Sequence, residues 1–196
     1  MKLYSKKEYK EKQAKEKQAH ANAAAPSGEI DAATIVAALG GKDFTGTLEL
    51  TQDIDMTGVA MQPITSFAGT FNGNGYTIKN LAISAELAET YTTKGAALFA
   101  TFSGTARDVV FENPSITLTK GQNVGTAVLC GVIGEDGATI ENVGIVGGSI
   151  TSEVTKTTYV GALAGNAVNT SLTVKSCFVE ANIAYTGSSR QTTNYV

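Results

Sequence analysis

Several residue types on which catalytic and metal sites depend are scarce in this chain of 196 residues. It contains no tryptophan, one histidine and two cysteines, which excludes a disulfide-stapled miniprotein and leaves too few ligands for a zinc site. Proline is rare, at three residues, whereas glycine reaches 21, a balance that indicates many tight turns. No stretch approaches the ~18 consecutive apolar residues of a membrane span, and the N-terminus lacks the apolar region of an ordinary secretory signal.

Charge is distributed unevenly along the chain. Residues 1–20 carry seven lysines and three glutamates, a net charge of +4, whereas the remainder carries eight basic and fifteen acidic residues, a net charge of −7. The first segment is rich in helix formers but has no sustained heptad, so residues 1–25 predict a frayed helix or a disordered arm in isolation. We expect this basic arm to dock on an acidic surface of another protein.

The predicted contacts of the arm combine apolar anchors with lysines. They are Leu3, Tyr4, Lys6, Lys7, Tyr9 and Lys10. An arm with no partner ranks second, and nucleic acid ranks third, because the arm contains no arginine, the residue that normally recognises phosphate with two hydrogen bonds.

A breaker cluster, Pro26-Ser27-Gly28, ends the arm. Residues 26–43 predict a linker and a short capping helix, in which apolar residues from Ile30 recur at helical spacing and Gly40-Gly41 supplies the stop. The composition then changes to short runs of Thr, Val and Ile separated by Gly and Asn, so residues 44–196 predict the β domain.

Repeats within residues 44–196 predict the fold. The segments TIKNLAI, TARDVVF, TIENVGI and TVKSCFV begin at positions 77, 105, 139 and 173, which are 28, 34 and 34 residues apart. A glycine-anchored run precedes each of the last three, at 95–102, 124–134 and 159–165. Self-similarity at this period, without helical spacing, favours a mainly β chain folded as a β-helix.

Equivalent residues of successive coils stack about 4.8 Å apart in such a solenoid. The alignment therefore predicts two buried ladders. The first consists of Leu81, Val109, Val143 and Cys177. The second consists of Ile83, Phe111, Ile145 and Val179. One outward position, with charges of mixed sign typical of a solvated face, is predicted for Lys79, Arg107, Glu141 and Lys175.

The opening coil resembles bacterial GLUG-repeat proteins. The resemblance rests on LELTQDIDMTGVAMQPITSFAGTFNGNGYTIKNLAI, and within it on GTFNGNGYTI at 69–78, with ALFA at 97–100 and GALAG at 161–165 as the later matches. Alanine replaces several of the family's glycines. The resemblance covers about residues 44–196 and implies a right-handed parallel β-helix of the kind found in bacterial surface and adhesin-like proteins, whose repeats are not generally catalytic.

Three patterns imitate ligand sites, and a structural role is preferred for each. Asp53–Gly58 is similar to the start of a calcium loop, but the position that needs a bidentate carboxylate is Ile64. Asn72–Gly75 lacks the remaining residues of a nucleotide-binding loop and is explained by tight turns. Arg107, Asp108 and Glu141 suggest a carbohydrate enzyme, yet the outward charged position is typical of a solvated face. We predict no catalytic residue, metal or cofactor.

Cys130 and Cys177 occupy apolar positions of the repeats. A free cysteine there behaves as a small hydrophobic residue. We therefore expect two buried free thiols rather than a disulfide.

The preferred function is that of a non-enzymatic fibre or decoration protein of a phage virion, on the head rather than the tail. Residues 1–25 would attach it, and the β-helix would project toward the host surface, where a glycan is a candidate ligand. The alternative is a bacterial surface adhesin whose export signal is not in this sequence, and a carbohydrate-active β-helix enzyme is a minor alternative.

The C-terminal coil has no evident cap. Tyr195-Val196 repeats Tyr159-Val160, and nothing after Asn182 resembles a capping segment. We expect either further repeats or a neighbouring subunit, as in a homotrimer, to cover the last coil.

Overall fold

The structure is a computed structural model of a parallel β-helix that follows one long helix. The mainly β solenoid predicted from the repeats is therefore confirmed. The residues it describes are 5–21, 36–87, 95–122, 124–154, 158–167, 171–186 and 192–195. The predicted boundaries at the end of the arm and in the linker, and the first half of the predicted capping helix, lie outside those ranges.

The helix α1 spans Lys6–Ala21. The strands, in chain order, are β1 (Asp43–Glu49), β2 (Ile54–Asp55), β3 (Ser66–Asn72), β4 (Thr77–Lys79), β5 (Ala82–Glu86), β6 (Gly95–Ala96), β7 (Phe99–Glu112), β8 (Ser115–Lys120), β9 (Val124–Thr126), β10 (Cys130–Ser152), β11 (Thr158–Gly161), β12 (Ala164–Asn166), β13 (Leu172–Lys175), β14 (Phe178–Tyr185) and β15 (Thr192–Tyr195).

Strands pair in parallel because the chain returns to the same face one coil later. One path of pairing runs β1–β3–β7–β10, and β10 also pairs with β8, β12, β13 and β14. A second sheet has the order β6–β9–β11–β15. Strand β10 is 23 residues long and follows several faces of its coil. It pairs with β7 and β8 of the preceding coil and with β12, β13 and β14 of the following coil.

A column of outward threonines shows the register. It contains Thr47, Thr70, Thr105, Thr139 and Thr173. The predicted equivalence of the segments at 105, 139 and 173 is therefore confirmed. The predicted place of the segment at 77 is wrong, because Thr77 pairs with Val110. The pattern of Thr, an apolar residue and a polar residue occurs twice in this coil, at 70–72 and 77–79, so the pattern alone does not separate the two.

Seven of the eight predicted ladder residues are buried and Val179 is half-buried, but the first member of each ladder stands in another column. Leu81 and Ile83 are both buried. Leu81 precedes the pair Ala82–Ser115 and so does not stack on Val109. The column of Ile83 continues through Ile116, Ile150 and Ile183. The column predicted to begin with Ile83 consists of Ile54, Ile78, Phe111, Ile145 and Val179.

The outward charged position needs the same correction. Lys79 pairs in register with Glu112 rather than with the Arg107 column, and its Nζ lies 3.9 Å from the Glu112 carboxylate. The remaining members share one column as predicted. In order of coils it contains Glu49, Asn72, Arg107, Glu141 and Lys175.

Each coil turns through residues with positive φ. One set of corners stacks Asp108, Asn142 and Ser176, whose φ values are 56°, 55° and 53°. Short polar side chains tolerate this conformation because they form local hydrogen bonds. The Asn142 side-chain amide donates to Asp108 of the preceding coil at 2.6 Å, so side-chain bonds as well as backbone pairing connect the corners.

The core near the first coils is aromatic. Phe67 stacks on Phe44 and Phe102, with ring centroids 5.1 Å and 5.7 Å apart, and Phe99 contacts Phe67 at 4.5 Å. The register places Phe44, Phe67 and Phe102 in one column. Aromatic pairs at these distances stabilise a protein beyond their buried area alone.

A helical turn at residues 36–38 forms the described part of the predicted capping helix. Val36 is buried in the core, and the Gly40 N–H donates to the Ala37 carbonyl. Gly41 has a φ of 71°, the left-handed conformation that ends helices. The predicted glycine stop is thus where the chain leaves the turn to enter β1.

Replacing Val143 with Ala should lower the free energy of unfolding by about 1–3 kcal/mol, because the side chain is fully buried in the middle coil and its loss leaves a cavity. Urea denaturation of both proteins measures the difference. Replacing the exposed Thr47 with Ala is the control. Equal stability of the Val143 variant and the wild type would contradict the inward assignment.

Candidate functional site

The predicted attachment arm is a helix that packs on the outer surface of the β-helix. It begins with a capping box in which the Ser5 N–H and hydroxyl donate to Glu8, at 2.9 and 2.7 Å, and the Glu8 N–H donates back to the Ser5 hydroxyl at 3.3 Å. This Ser-x-x-Glu signal was visible in the sequence but was not used to predict the start of α1. It favours an ordered helix over a frayed one.

Tyr9 holds α1 on the body. Its side chain is 1% exposed, and its hydroxyl donates to the carbonyl oxygens of Val109 and Asn142, each at 3.1 Å. Its ring stacks on Phe178 with centroids 5.9 Å apart. Tyr9 was predicted as an apolar anchor on a partner; within this chain its side chain is buried against the chain's own β-helix.

A glycine makes room for the tyrosine ring. Val110, Gly144 and Phe178 form one outward column on successive coils, with the glycine between two large side chains. A Cβ atom at Gly144 would overlap the Tyr9 ring. We call this place the Tyr9 notch. A glycine in an otherwise large apolar outward column was the signal that sequence reasoning missed.

Two of the remaining predicted arm residues have described side chains. Lys7 and Lys10 are exposed, and the Lys7 ammonium lies 4.0 Å from Glu11 one turn later. An exposed pair of this kind contributes little to stability. Leu3, Tyr4 and the side chain of Lys6 lie outside the described residues. The described arm therefore presents charge outward and one aromatic ring inward.

The calcium-like segment forms hydrogen bonds within its turn and to the next coil. Oδ1 of Asp55 accepts bonds from the Asn80 side chain at 2.9 Å and from the Thr57 hydroxyl and N–H at 2.7 and 2.9 Å. Asp53 accepts a bond from the Thr77 N–H at 3.0 Å. Bonds from Asn80 and then Thr57 lower the pKa of Asp55 from 3.8 to about 2. Both carboxylates therefore have the structural role preferred from the sequence.

The charged residues and thiols that the sequence offered as candidate site residues also have structural roles. Asp108 accepts the Asn142 amide and lies 3.4 Å from the Arg107 guanidinium, while Glu141 stands one coil above Arg107. Cys130 and Cys177 are buried and free, as predicted, and burial raises the pKa of both thiols. Across the described ranges, no group of three His, Cys, Asp or Glu side chains is placed to hold a metal ion.

The Asn-Gly segment is a turn, as predicted. Asn74 has a φ of 51°, and its side chain donates to the Leu50 carbonyl at 2.9 Å. Its N–H donates to the Asn72 side chain at 3.1 Å. The first bond joins the turn to the preceding coil, and the second lies within the turn.

The outer surface of the described residues includes two grooves that are relevant to ligand binding. One, of about 450 Å³, is lined by small residues, by five hydroxyl-bearing side chains and by Asp136. Its hydroxyl side chains are Ser103, Thr105, Thr139, Ser171 and Thr173. The other, of about 520 Å³, lies between the segment 59–62 and strands β5 and β8. In the described part of the chain, no helix is long and apolar enough to cross a membrane.

Comparison with known proteins supports no conclusion about this chain. No protein-family model and no curated protein matches the chain. Among solved structures, a putative immunoglobulin A1 protease from Bacteroides ovatus aligns with a TM-score of 0.41 and 16% identity over 72% of this chain. The alignment spans 61% of that protein's length. At this level of similarity the match carries no conclusion about activity.

Replacing Gly144 with Ala should displace α1, because the added methyl group occupies the space of the Tyr9 ring. We expect trypsin to cleave at the arm lysines at least about tenfold faster, since local opening controls proteolysis. Tyr9→Ala should have the same effect, and Gln52→Ala, at an exposed position of the body, is the control. Unchanged cleavage in both arm variants would contradict the notch.

Replacing Asp55 with Asn should lower the melting temperature at about pH 7. It should also make the melting temperature fall less steeply as the pH is lowered. Because the pKa of Asp55 is below its ordinary value in the folded state, its contribution is present above pH 3.8 and is lost as the pH falls toward about 2. Thermal melts across this range should therefore converge near pH 2. Asp136→Asn, at an exposed carboxylate, is the control, and curves that stay parallel would refute the assignment.

Proposed function

We propose that this protein is a non-enzymatic attachment protein of the fibre or decoration type, carried by a phage virion and placed on the head rather than the tail. The β-helix is its rigid projecting body and α1 is its attachment element. The observation that carries the proposal is the orientation of α1, which buries Tyr9 in the notch and exposes Lys7 and Lys10. A partner of acidic character, a capsid or tail protein, fits the net charge of +4 that residues 1–20 carry, although Glu8 and Glu11 are exposed beside these lysines.

The geometry of the arm supports attachment through its outer face. A helix held by one buried aromatic residue keeps its lysines at a constant position relative to the body, and this lowers the entropic cost of binding. The body itself is acidic, with a net charge of −7 beyond residue 20. Opposite charge on the arm and the body favours one orientation on an acidic partner surface, with the body directed away.

A bacterial surface adhesin is the second candidate, and the likeness of Gly69–Ile78 to GLUG repeats favours it. In both candidates the β-helix meets a host or neighbouring surface, and the hydroxyl-lined groove is the place to test for a glycan. The carbohydrate-enzyme reading has less support, because Asp108 and Glu141 belong to the corner and ladder contacts already described.

Immunogold labelling separates the two candidates. An antibody against the β-helix should label purified virions from the organism that encodes the chain, at the capsid. Labelling of intact bacterial surfaces without virions would favour the adhesin. Labelling of neither would refute both.

Reversing the charges of Lys7 and Lys10 to Glu should abolish co-purification with the particle while leaving the β-helix folded, because the Tyr9 notch is unchanged. Sedimentation of particles mixed with the variant measures binding, and circular dichroism measures folding. Lys42→Glu with Lys120→Glu, the same charge change on the exposed body, is the control. Full binding by the arm variant would show that the lysine face is not the attachment surface.

A further inference from the structure

The turn between β3 and β4 contains both Asn-Gly pairs of the chain, Asn72-Gly73 and Asn74-Gly75. Glycine after asparagine leaves the following main-chain nitrogen accessible, because glycine has no Cβ to shield it. In an open chain this nitrogen attacks the side-chain carbonyl of the asparagine, which then loses its amide nitrogen as ammonia. The turn is therefore a place at which the chain can modify itself.

The two reacting groups of Asn74-Gly75 are held by different coils. The Gly75 N–H donates to the Asp108 carbonyl of the following coil at 2.8 Å. The Asn74 side-chain amide donates to the Leu50 carbonyl of the preceding coil at 2.9 Å. Attack therefore requires that both hydrogen bonds break, and this happens only when the first coils separate around the turn.

Asn72 is held more firmly than Asn74. It is the last residue of β3, which pairs with β1 on one side and with β7 on the other, and it is 5% exposed. The next nitrogen, that of Gly73, donates to the Arg107 carbonyl at 2.8 Å. Asn74 is half-buried and lies outside the strands. Opening of the turn therefore frees Asn74 before it frees Asn72.

We propose that Asn74 is a site of spontaneous deamidation and that the fold controls its rate through the opening of this turn. The Gly75 nitrogen forms a bond to the side-chain carbonyl carbon of Asn74. The bond from that carbon to the amide nitrogen breaks, and ammonia leaves with the proton that the Gly75 nitrogen gives up. Water then opens the cyclic imide at either carbonyl, which yields aspartate or isoaspartate. Nothing is oxidised or reduced, and water is the only co-reactant.

The product cannot restore the contacts that protected the asparagine. Aspartate replaces the amide donor with carboxylate oxygens, so the Leu50 carbonyl loses this donor and faces a negative charge. Isoaspartate lengthens the main chain by one atom, within a turn in which Asn74 has a φ of 51°. Either product weakens the link between the first two coils, and the change is irreversible. The proposal does not depend on the virion assignment.

Peptide mapping by mass spectrometry measures conversion at each asparagine after incubation in a mildly alkaline buffer. We expect Asn74 to be converted first in the folded protein, at least about tenfold more slowly than in the denaturant-unfolded chain, since only the open fraction reacts. Equal rates in the two states would overturn control by the fold. Faster conversion of another asparagine in the folded protein would overturn the assignment to Asn74. No conversion of Asn74 just below the unfolding transition would overturn it as well.

Two core variants separate local opening from a general loss of stability. Leu50→Ala removes a buried side chain from the coil whose carbonyl holds Asn74, and Val143→Ala removes one from the middle coil. After correction for the free energy of unfolding of each variant, Leu50→Ala should accelerate conversion at least about threefold more than Val143→Ala. Leu50→Val takes its place if that variant does not fold. Equal acceleration would show that global unfolding sets the rate, and would overturn control by the turn.

Asn74→Asp reproduces the aspartate product and tests its effect. It should lower the melting temperature by about 2–8 °C, because a hydrogen bond between the first two coils is lost and an acceptor faces the Leu50 carbonyl. Asn182→Asp, the same change at an exposed position of the body, is the matched control. Coinciding melting curves for the two variants would overturn the proposed weakening of the first coils.

Discussion

Parallel pairing of equivalent residues on successive coils is the interaction on which this structure depends. Each coil offers its backbone N–H and carbonyl groups to the next in register, so every inward side chain lies on another inward side chain. The aromatic column of Phe44, Phe67 and Phe102 and the outward threonine column are both consequences. A shift of one residue would reverse the two faces of a strand, which is why burial and register support each other.

Corners with positive φ make the repeated coil possible. Asp108, Asn142 and Ser176 turn the chain at equivalent points, and the Asn142 side chain ties its corner to the coil below. The same corner exposes the carbonyl oxygens of Val109 and Asn142 that receive the Tyr9 hydroxyl. The geometry that closes the coil therefore also forms the docking place of the N-terminal helix.

Docking of the N-terminal helix on the β-helix lowers the entropic cost of binding through its lysines. A free basic arm binds by charge at the cost of ordering itself on contact, whereas a helix already seated on the body presents its lysines without that cost. Tyr9 supplies the fixed point and the lysines supply the exposed charge. For an attachment protein, this division allows the body to be oriented by the same element that holds it to a partner.

The amino-acid sequence alone determined the solenoid class and the equivalence of the last three repeats, because their 34-residue period recurs unchanged and each period returns the same residue types to the same face. It could not place the segment at Thr77, since two similar Thr-containing runs lie within one coil and only the backbone pairing with Val110 distinguishes them. Only the tertiary structure shows that the Tyr9 side chain is buried on the chain's own β-helix. Its burial depends on the gap that Gly144 leaves in an outward column more than a hundred residues away. The repeat alignment shows that gap, but no pattern near Tyr9 shows that its ring fills it.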